Sequence, residues 1–260
     1  MDEINQQIKT LLSKGAGGWA NLQTLWKDHQ HVQKNEGFSR FLGDPFGAFL
    51  KKRTSAIGVC VYDLGRNKMY AYNGDHVFGM NETVMVPIAY YLLTSGTKVE
   101  EEHVKHMMRD SDHEAASSVW KTIGGKETMN GFFNSLNLYR MDAGDGGRWE
   151  QSVTTPGEMT ECLRSLYYEK ENIDLLRHMK QGRKEQRWGI TAGNEWDQVY
   201  LKNGWKRKDW NDWCVSTTGI VKGENPYVLS FYTENNPSLE YGILTIETIN
   251  RMIVERMREA

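Results

Sequence analysis

The chain is poor in cysteine. Its 260 residues hold only Cys60, Cys162 and Cys214, and no two of them form a CxxC pair. An odd, scattered set excludes a disulfide framework and a cysteine-based zinc site, leaving structural thiols. Excess charge is also missing. A net charge of −2 excludes the basic face that neutralises phosphates, so no nucleic-acid partner is expected. Long apolar runs are absent too: no window approaches the roughly 18 apolar residues of a membrane span. The opening MDEINQQIKTLLSKGAGGWANL has no basic head followed by an apolar stretch, so a cytoplasmic location and no membrane partner are expected. Neither repeats nor linker-like segments interrupt the chain. With 39% apolar residues it has material for one compact domain over residues 1–260.

Periodicity supplies the elements. Ile4, Ile8, Leu11 and Leu12, then Trp19, Leu22, Leu25 and Trp26, are spaced for a helix over residues 4–31, broken at Gly15 to Gly18. Ile57, Val59 and Val61 alternate on one face of a strand, and Lys68 to Tyr72 returns after LGRNK as a hairpin. Helical signals dominate from Val86 to about Arg187. Strand patterns then reappear in Gln198 to Leu201, Trp213 to Val221 and Tyr227 to Thr233. Ile246, Ile249, Ile253 and Met257 form one stripe of a closing helix. The predicted division is a helical segment over 1–50, an α/β lobe built from 56–75 and 198–260, and a helical lobe over 86–190 between them. A site would form in the cleft between the lobes.

Three motifs carry chemistry. FGMNETVMVPI, from Phe78 to Ile88, resembles the segment that opens a buried helix with Ser-x-x-Lys in serine β-lactamases and penicillin-binding proteins, especially those of class A type. Phe78, Met80, Val86, Pro87 and Ile88 match, but Glu82 stands at the serine position and Met85 at the lysine position. SDHEAASSVW is similar to the Ser-Asp-Asn segment, with Ser111 and Asp112 kept and His113 in place of asparagine. VYLKNGW resembles the Lys-Thr/Ser-Gly segment of an inner strand, with Lys202 and Gly204 kept and Asn203 between them. The resemblance runs from about Ala56 to the C-terminus. It implies an α/β (α+β) β-lactamase-like fold: an antiparallel sheet built from both ends of the chain, flanked by terminal helices, with an inserted all-helical lobe.

The resemblance also implies a cleft holding Glu82, Ser111, His113 and Lys202 as catalytic candidates, with Asn203, Gly204, Trp205, Trp149 and Glu150 as substrate-binding candidates. Acyl transfer through serine needs a hydroxyl and a base one helical turn away, and Glu82 and Met85 supply neither. A carboxylate and a histidine can instead do acid–base chemistry near neutral pH, and Lys202 could hold an oxyanion or a substrate carboxylate. Alternatively, Glu82 and Lys202 form a salt bridge in a retired site. Glu150, in GGRWEQSVTTPGEM, could replace the family's loop glutamate or simply position the Thr155-Pro156 helix entry. His103, His106 and Asp110 could share a helix face, but solvated histidines are the commoner case, and no metal or other cofactor is assigned. KNGWKRKDWNDW mixes basic residues with Trp205, Trp210 and Trp213, as in single-strand binders, yet its place in the motif order makes it cleft wall and strand edge. Two functions compete: a repurposed enzyme acting on a small amide, ester or amino-acid-derived substrate in specialised metabolism, and a pseudoenzyme that binds a small ligand for resistance or sensing. A true β-lactamase or peptidase ranks below both.

Overall fold

A computed structural model describes residues 35–144, 148–169, 173–180, 182–194 and 198–259. The helix expected over residues 4–31 lies outside them. Residues 35–42 form helix α1, followed by α2 (Asp44–Leu50), β1 (Ala56–Asp63) and β2 (Lys68–Tyr72). Then come β3 (Phe78–Gly79), a 3-10 turn (Asn81–Val84), α3 (Met85–Ser95), α4 (Glu101–Asp110), α5 (His113–Ile123) and α6 (Gly125–Ser135). A second 3-10 turn (Trp149–Gln151) leads to β4 (Val153–Thr154), α7 (Pro156–Tyr168) and α8 (Ile173–Lys180). Two more 3-10 turns (Lys184–Gln186 and Gly189–Thr191) precede β5 (Gln198–Asp209), β6 (Asp212–Lys222), β7 (Tyr227–Asn236) and α9 (Leu239–Glu259).

The main sheet has five strands in the order β2-β1-β7-β6-β5, all neighbours antiparallel. Strands from the two ends of the chain meet where β1 pairs with β7, from Ala56 opposite Glu234 to Asp63 opposite Tyr227. The alternation read from the sequence sorts the two faces. Ile57, Val59 and Val61 join Val215, Leu229 and Phe231 in a core closed by Phe38, Phe46 and the α9 stripe. Ile246, Ile249, Ile253 and Met257 are all buried there, each contributing roughly 1.5–3 kcal/mol by leaving water. Tyr62, Ile220, Val228 and Tyr232 face the opposite way, into a core shared with the helices between β2 and β5.

Three expectations need correction. Helix α3 begins at Met85, close to the Val86 expected, but Glu82 is not on it: Phe78 and Gly79 pair with Thr154 and Val153 in a short strand, and Asn81–Val84 is a 3-10 turn. Pro87 has no N–H to give Thr83, so the α-helical ladder cannot extend back through that turn. The Lys202-Asn203-Gly204 motif lies on β5, an edge strand and not an inner one. Its outer edge packs against the Asn81–Val84 turn and α8, which cover backbone groups an open edge would expose. Finally, β5 and β6 run past Leu201 and begin before Trp213, pairing from Gln198 opposite Lys222 to Asp209 opposite Asp212. Residues 206–211 are exposed, so no burial pattern marks that ribbon in the sequence.

Candidate functional site

Glu82 is placed by the geometry around it. The Met80 N–H donates to Ser152 O, Asn81 adopts the left-handed conformation (φ 51°), and the Thr83 hydroxyl bonds Met80 O and the Tyr232 hydroxyl. The turn thus holds Glu82 against β5, where the residue is only 8% exposed. One carboxylate oxygen, Oε2, accepts the Trp205 backbone N–H at 2.9 Å. The other, Oε1, lies 3.1 Å from His113 Nε2. Glycine at 204 makes this approach possible: a Cβ there would stand 2.8 Å from Glu82 N and 2.9 Å from Glu82 Oε2.

His113 opens α5 directly after its N-cap, Asp112, whose Oδ1 accepts the Ala115 N–H at 2.8 Å. Asp112 therefore braces the helix start while His113 reaches the cleft. The imidazole is 57% exposed and stands edge-on to Trp149, with ring centroids 4.9 Å apart. Trp149 is in turn fixed by donating Nε1–H to Ser117 Oγ. The hydrogen bond to Glu82 holds the His113 pKa above its usual 6.5, partial burial opposes this, and the Glu82, Glu150 and Asp112 charges add to the rise.

These groups surround a cleft of about 320 Å³, lined by Asn81, Glu82, His113, Trp149, Glu150 and Trp205. Arg148, Gln151 and Lys206 complete its wall. None of these nine side chains is an alcohol or a thiol. A wider hollow of about 830 Å³ lies against α1 and β2, by Phe41 and Tyr70. The smaller cleft holds the coupled acid and base, and on that chemistry we take it as the site.

Lys202 and Ser111 do not join this pair. Lys202 is 2% exposed, and its ammonium donates to Met107 O (3.0 Å), Met108 O (3.1 Å) and Ser111 Oγ (2.6 Å). No ion pair within 4.0 Å links it to Glu82 among the described residues, so the salt bridge between them does not form. The reason is positional: the last carbonyls of α4 have no intrahelical donors, and the Lys202 side chain ends beside them. Asn203 also points away from the cleft, its amide donating to Gln186 O and Trp188 O. Of the residues singled out from the sequence, Glu82, His113, Trp149, Glu150 and Trp205 line the cleft, and Gly204 backs Glu82. Ser111, Lys202 and Asn203 form a separate cluster under the segment from Gly182 to Trp188. Sequence reasoning missed Arg148, Gln151 and Lys206; the first two flank Trp149 and Glu150, and Lys206 adjoins Trp205. His103 and His106 lie on α4 beside Glu100, Glu102 and Asp110, forming ion-pair contacts of the solvated kind.

Residues 96–257 match the sequence model of a family described as the "Beta-lactamase enzyme family". The chain belongs to this β-lactamase family. Its fold is similar to the TLA-1 extended-spectrum β-lactamase (14% identity, TM-score 0.74, covering 85% of this chain and 99% of that one). PBP-A is comparably similar (15%, TM-score 0.72, 86% and 97%), as is a β-lactamase from Sphaerobacter thermophilus (15%, TM-score 0.69, 86% and 98%). At such identities the likeness establishes the β-lactamase fold alone. No curated protein sequence matches the chain. The family match takes in Ser111, His113 and the Lys202 motif but begins beyond Glu82 and Met85. Membership therefore does not depend on those two positions. Met85 itself is fully buried among Val84, Val86 and Ile88, as an apolar core residue. Among the described residues no helix is long and apolar enough to cross a membrane.

Proposed function

We propose that this β-lactamase-family protein is a repurposed hydrolase in which Glu82 and His113 act as a carboxylate–imidazole pair on a small amide, ester or amino-acid-derived substrate. The observation that carries this reading is the 3.1 Å contact between His113 Nε2 and the buried Glu82. A base oriented by a carboxylate, on a side chain more than half exposed to the cleft, can take a proton from water and return it to a leaving group. Glu82 holds the ring and stabilises its cationic form, and Trp149 fixes the ring's tilt. With no hydroxyl or thiol among the cleft residues, the reading makes water the nucleophile. Small-molecule turnover of this kind fits a role in specialised metabolism.

One observation favours the second reading, a pseudoenzyme that captures a small ligand. Glu82 Oε2 already takes the Trp205 N–H, so that donor is not free for a developing oxyanion, and Lys202 is fully engaged by its own scaffold. One experiment separates the two readings. Purified wild type, Glu82→Gln and His113→Ala are each incubated with a metabolite extract and followed by untargeted mass spectrometry. Molecules consumed by wild type and spared by both variants are expected. Molecules retained and recovered unchanged would replace the enzyme with a binding protein, and equal consumption by the variants would discard the Glu82–His113 mechanism.

A further inference from the structure

Asn81 brings a buried amide to the cleft and bonds it to nothing. It lines the cleft beside Glu82 and is only 8% exposed, and its side chain makes no hydrogen bond among the described residues. Its polar atoms are not sealed off from solvent. The positive φ of 51° accounts for a residue that tolerates the left-handed region. It does not account for the amide, because glycine adopts that backbone at no steric cost and has no polar side chain to desolvate. Other asparagines with positive φ are bonded or wet: Asn73 donates to Ile57 O, Asn67 and Asn137 accept tyrosine hydroxyls, and Asn211 and Asn235 are exposed. A buried polar group without a partner costs about 1–3 kcal/mol, and a ligand that bonds it removes that cost.

Glycines flank the amide on two strands. Asn81 Cβ is 3.0 Å from where a Cβ of Gly204 would stand, and Asn81 Oδ1 is 4.0 Å from where one of Gly79 would stand. Neither β5 nor β3 therefore closes a side chain over the amide from those positions. The other buried polar groups of the cleft are committed, Glu82 through both oxygens and Trp149 through its Nε1–H to Ser117. Asn81 holds the buried donor and acceptor left for a ligand.

We infer that Asn81 is a substrate-binding residue, and that the cleft takes a carboxamide whose carbonyl and N–H lie on one side, as in a primary amide. Nδ2–H donates to the carbonyl oxygen and Oδ1 accepts the N–H. An ester of the same shape sets an oxygen against Oδ1 and leaves it without a donor, and a polar site rejects such an analogue strongly. The inference names the substrate class of the cleft and rests on the turnover reading for the fate of the bound amide. In that step the water oxygen bonds the carbonyl carbon as His113 takes its proton, and negative charge gathers on the oxygen held by Asn81 Nδ2. The C–N bond then breaks, its electron pair leaving on nitrogen with the proton returned by His113, to give a carboxylic acid and ammonia. Asn81 thus supplies the donor that the Trp205 N–H, taken by Glu82, does not.

The test reads the Asn81 side-chain NH2 signals of isotope-labelled protein by NMR, assigned by their absence from Asn81→Gly, which keeps the backbone conformation accessible. The probes are propionamide, methyl propionate and N,N-dimethylpropionamide. We expect saturable shifts of the Asn81 signals with propionamide and none with the ester. The dimethyl amide, which has no N–H, should bind at least about 10-fold more weakly than propionamide. Asn81→Asp, which replaces the donor by an acceptor, should weaken propionamide binding by at least about 10-fold, followed on the Trp205 backbone N–H. No saturable shift up to the solubility limit of propionamide, equal shifts with the ester, or shifts that spare Asn81 would each overturn the inference. The deciding comparison, amide against ester, is made on wild type and needs no variant to fold. If propionamide binds at Asn81 while Glu82→Gln consumes the same metabolites as wild type, only the Glu82–His113 mechanism falls. If ester and amide bind alike while Glu82→Gln is inactive, only this inference falls.

Discussion

Glu82 and Lys202 are both ionisable side chains that water scarcely reaches, 8% and 2% exposed, and they are secured in opposite ways. Lys202 gives all its hydrogens to groups of the scaffold, two of them at the end of α4. Glu82 gives one oxygen to the scaffold and the other to an imidazole that is itself 57% exposed. The lysine is therefore chiefly a fastening between β5 and α4, whereas the glutamate is a fastening with an outlet to the cleft. A buried charge can serve stability or proton transfer, and the exposure of its partner distinguishes the two uses more clearly than its own burial does.

The largest expected effect breaks the lysine side of this comparison. Lys202→Met keeps the unbranched stem, one atom shorter, but leaves two carbonyls and a hydroxyl without their donor. Urea denaturation should show a loss of about 3 kcal/mol. The pH dependence has a definite sign. The folded-state pKa lies near 7 and the ordinary value at 10.5, so between them the unfolded chain binds more protons, and wild-type stability from this group grows as pH rises. Below pH 7 both states hold the proton and the gain is absent. The deficit of Lys202→Met should therefore widen from about pH 6.5 to about pH 8.5. A deficit that stays flat over this range would mean the ammonium is charged throughout and the carbonyls outweigh its burial.

That contrast between two buried charges was only half legible in the sequence. Alternation in Ile57, Val59 and Val61 and the Ile246 to Met257 stripe predict their burial because strand and helix periods are local properties of the chain. The β1–β2 hairpin was legible for the same reason; the β-lactamase fold was legible through the resemblance of three motifs, in their order, to that family. The partners of Lys202 were not, because they are backbone carbonyls about 95 residues away in sequence, and a carbonyl carries no residue signature. Nor was the placement of Glu82 in a 3-10 turn ahead of α3, which follows from Pro87 and from the positive φ of Asn81. Motif order brought Glu82, Ser111, His113 and Lys202 to one neighbourhood; side-chain direction then divided them into two pairs.

A smaller effect sharpens the glutamate side. Gly204→Ala sets a methyl 2.8 Å from Glu82 N and 2.9 Å from its Oε2, and the nearer atom is backbone that cannot swing aside. Overpacking of this kind costs about 1–3 kcal/mol, and the Glu82 carboxylate should be pushed off the Trp205 N–H. Thermal or urea unfolding measures the cost. An unchanged stability would mean that β5 can draw back from the Asn81–Val84 turn, and that Glu82 is held less firmly than its two hydrogen bonds imply.

The smallest effect tests the outlet itself. His113 titrates above its usual 6.5, first because of its hydrogen bond to Glu82, and the sign of the linked stability is the reverse of that for Lys202. The contribution is complete below 6.5 and is lost as pH rises through the raised folded-state value, and solvent screening of an imidazole more than half exposed keeps it small. Following the His113 ring protons by NMR should give a midpoint above 6.5 in wild type. In Glu82→Gln, whose amide can still bond the ring but carries no charge, the midpoint should fall back toward 6.5. Any residual turnover of the variant that depends on neutral His113 should shift with it, so that this slow rate reaches half its maximum at a lower pH than in wild type. If the ring midpoint moves while the rate profile stays fixed, Glu82 sets the imidazole's protonation but His113 is not the base. If neither moves, the 3.1 Å contact is proximity without coupling, and Glu82 is a buried fastening like Lys202.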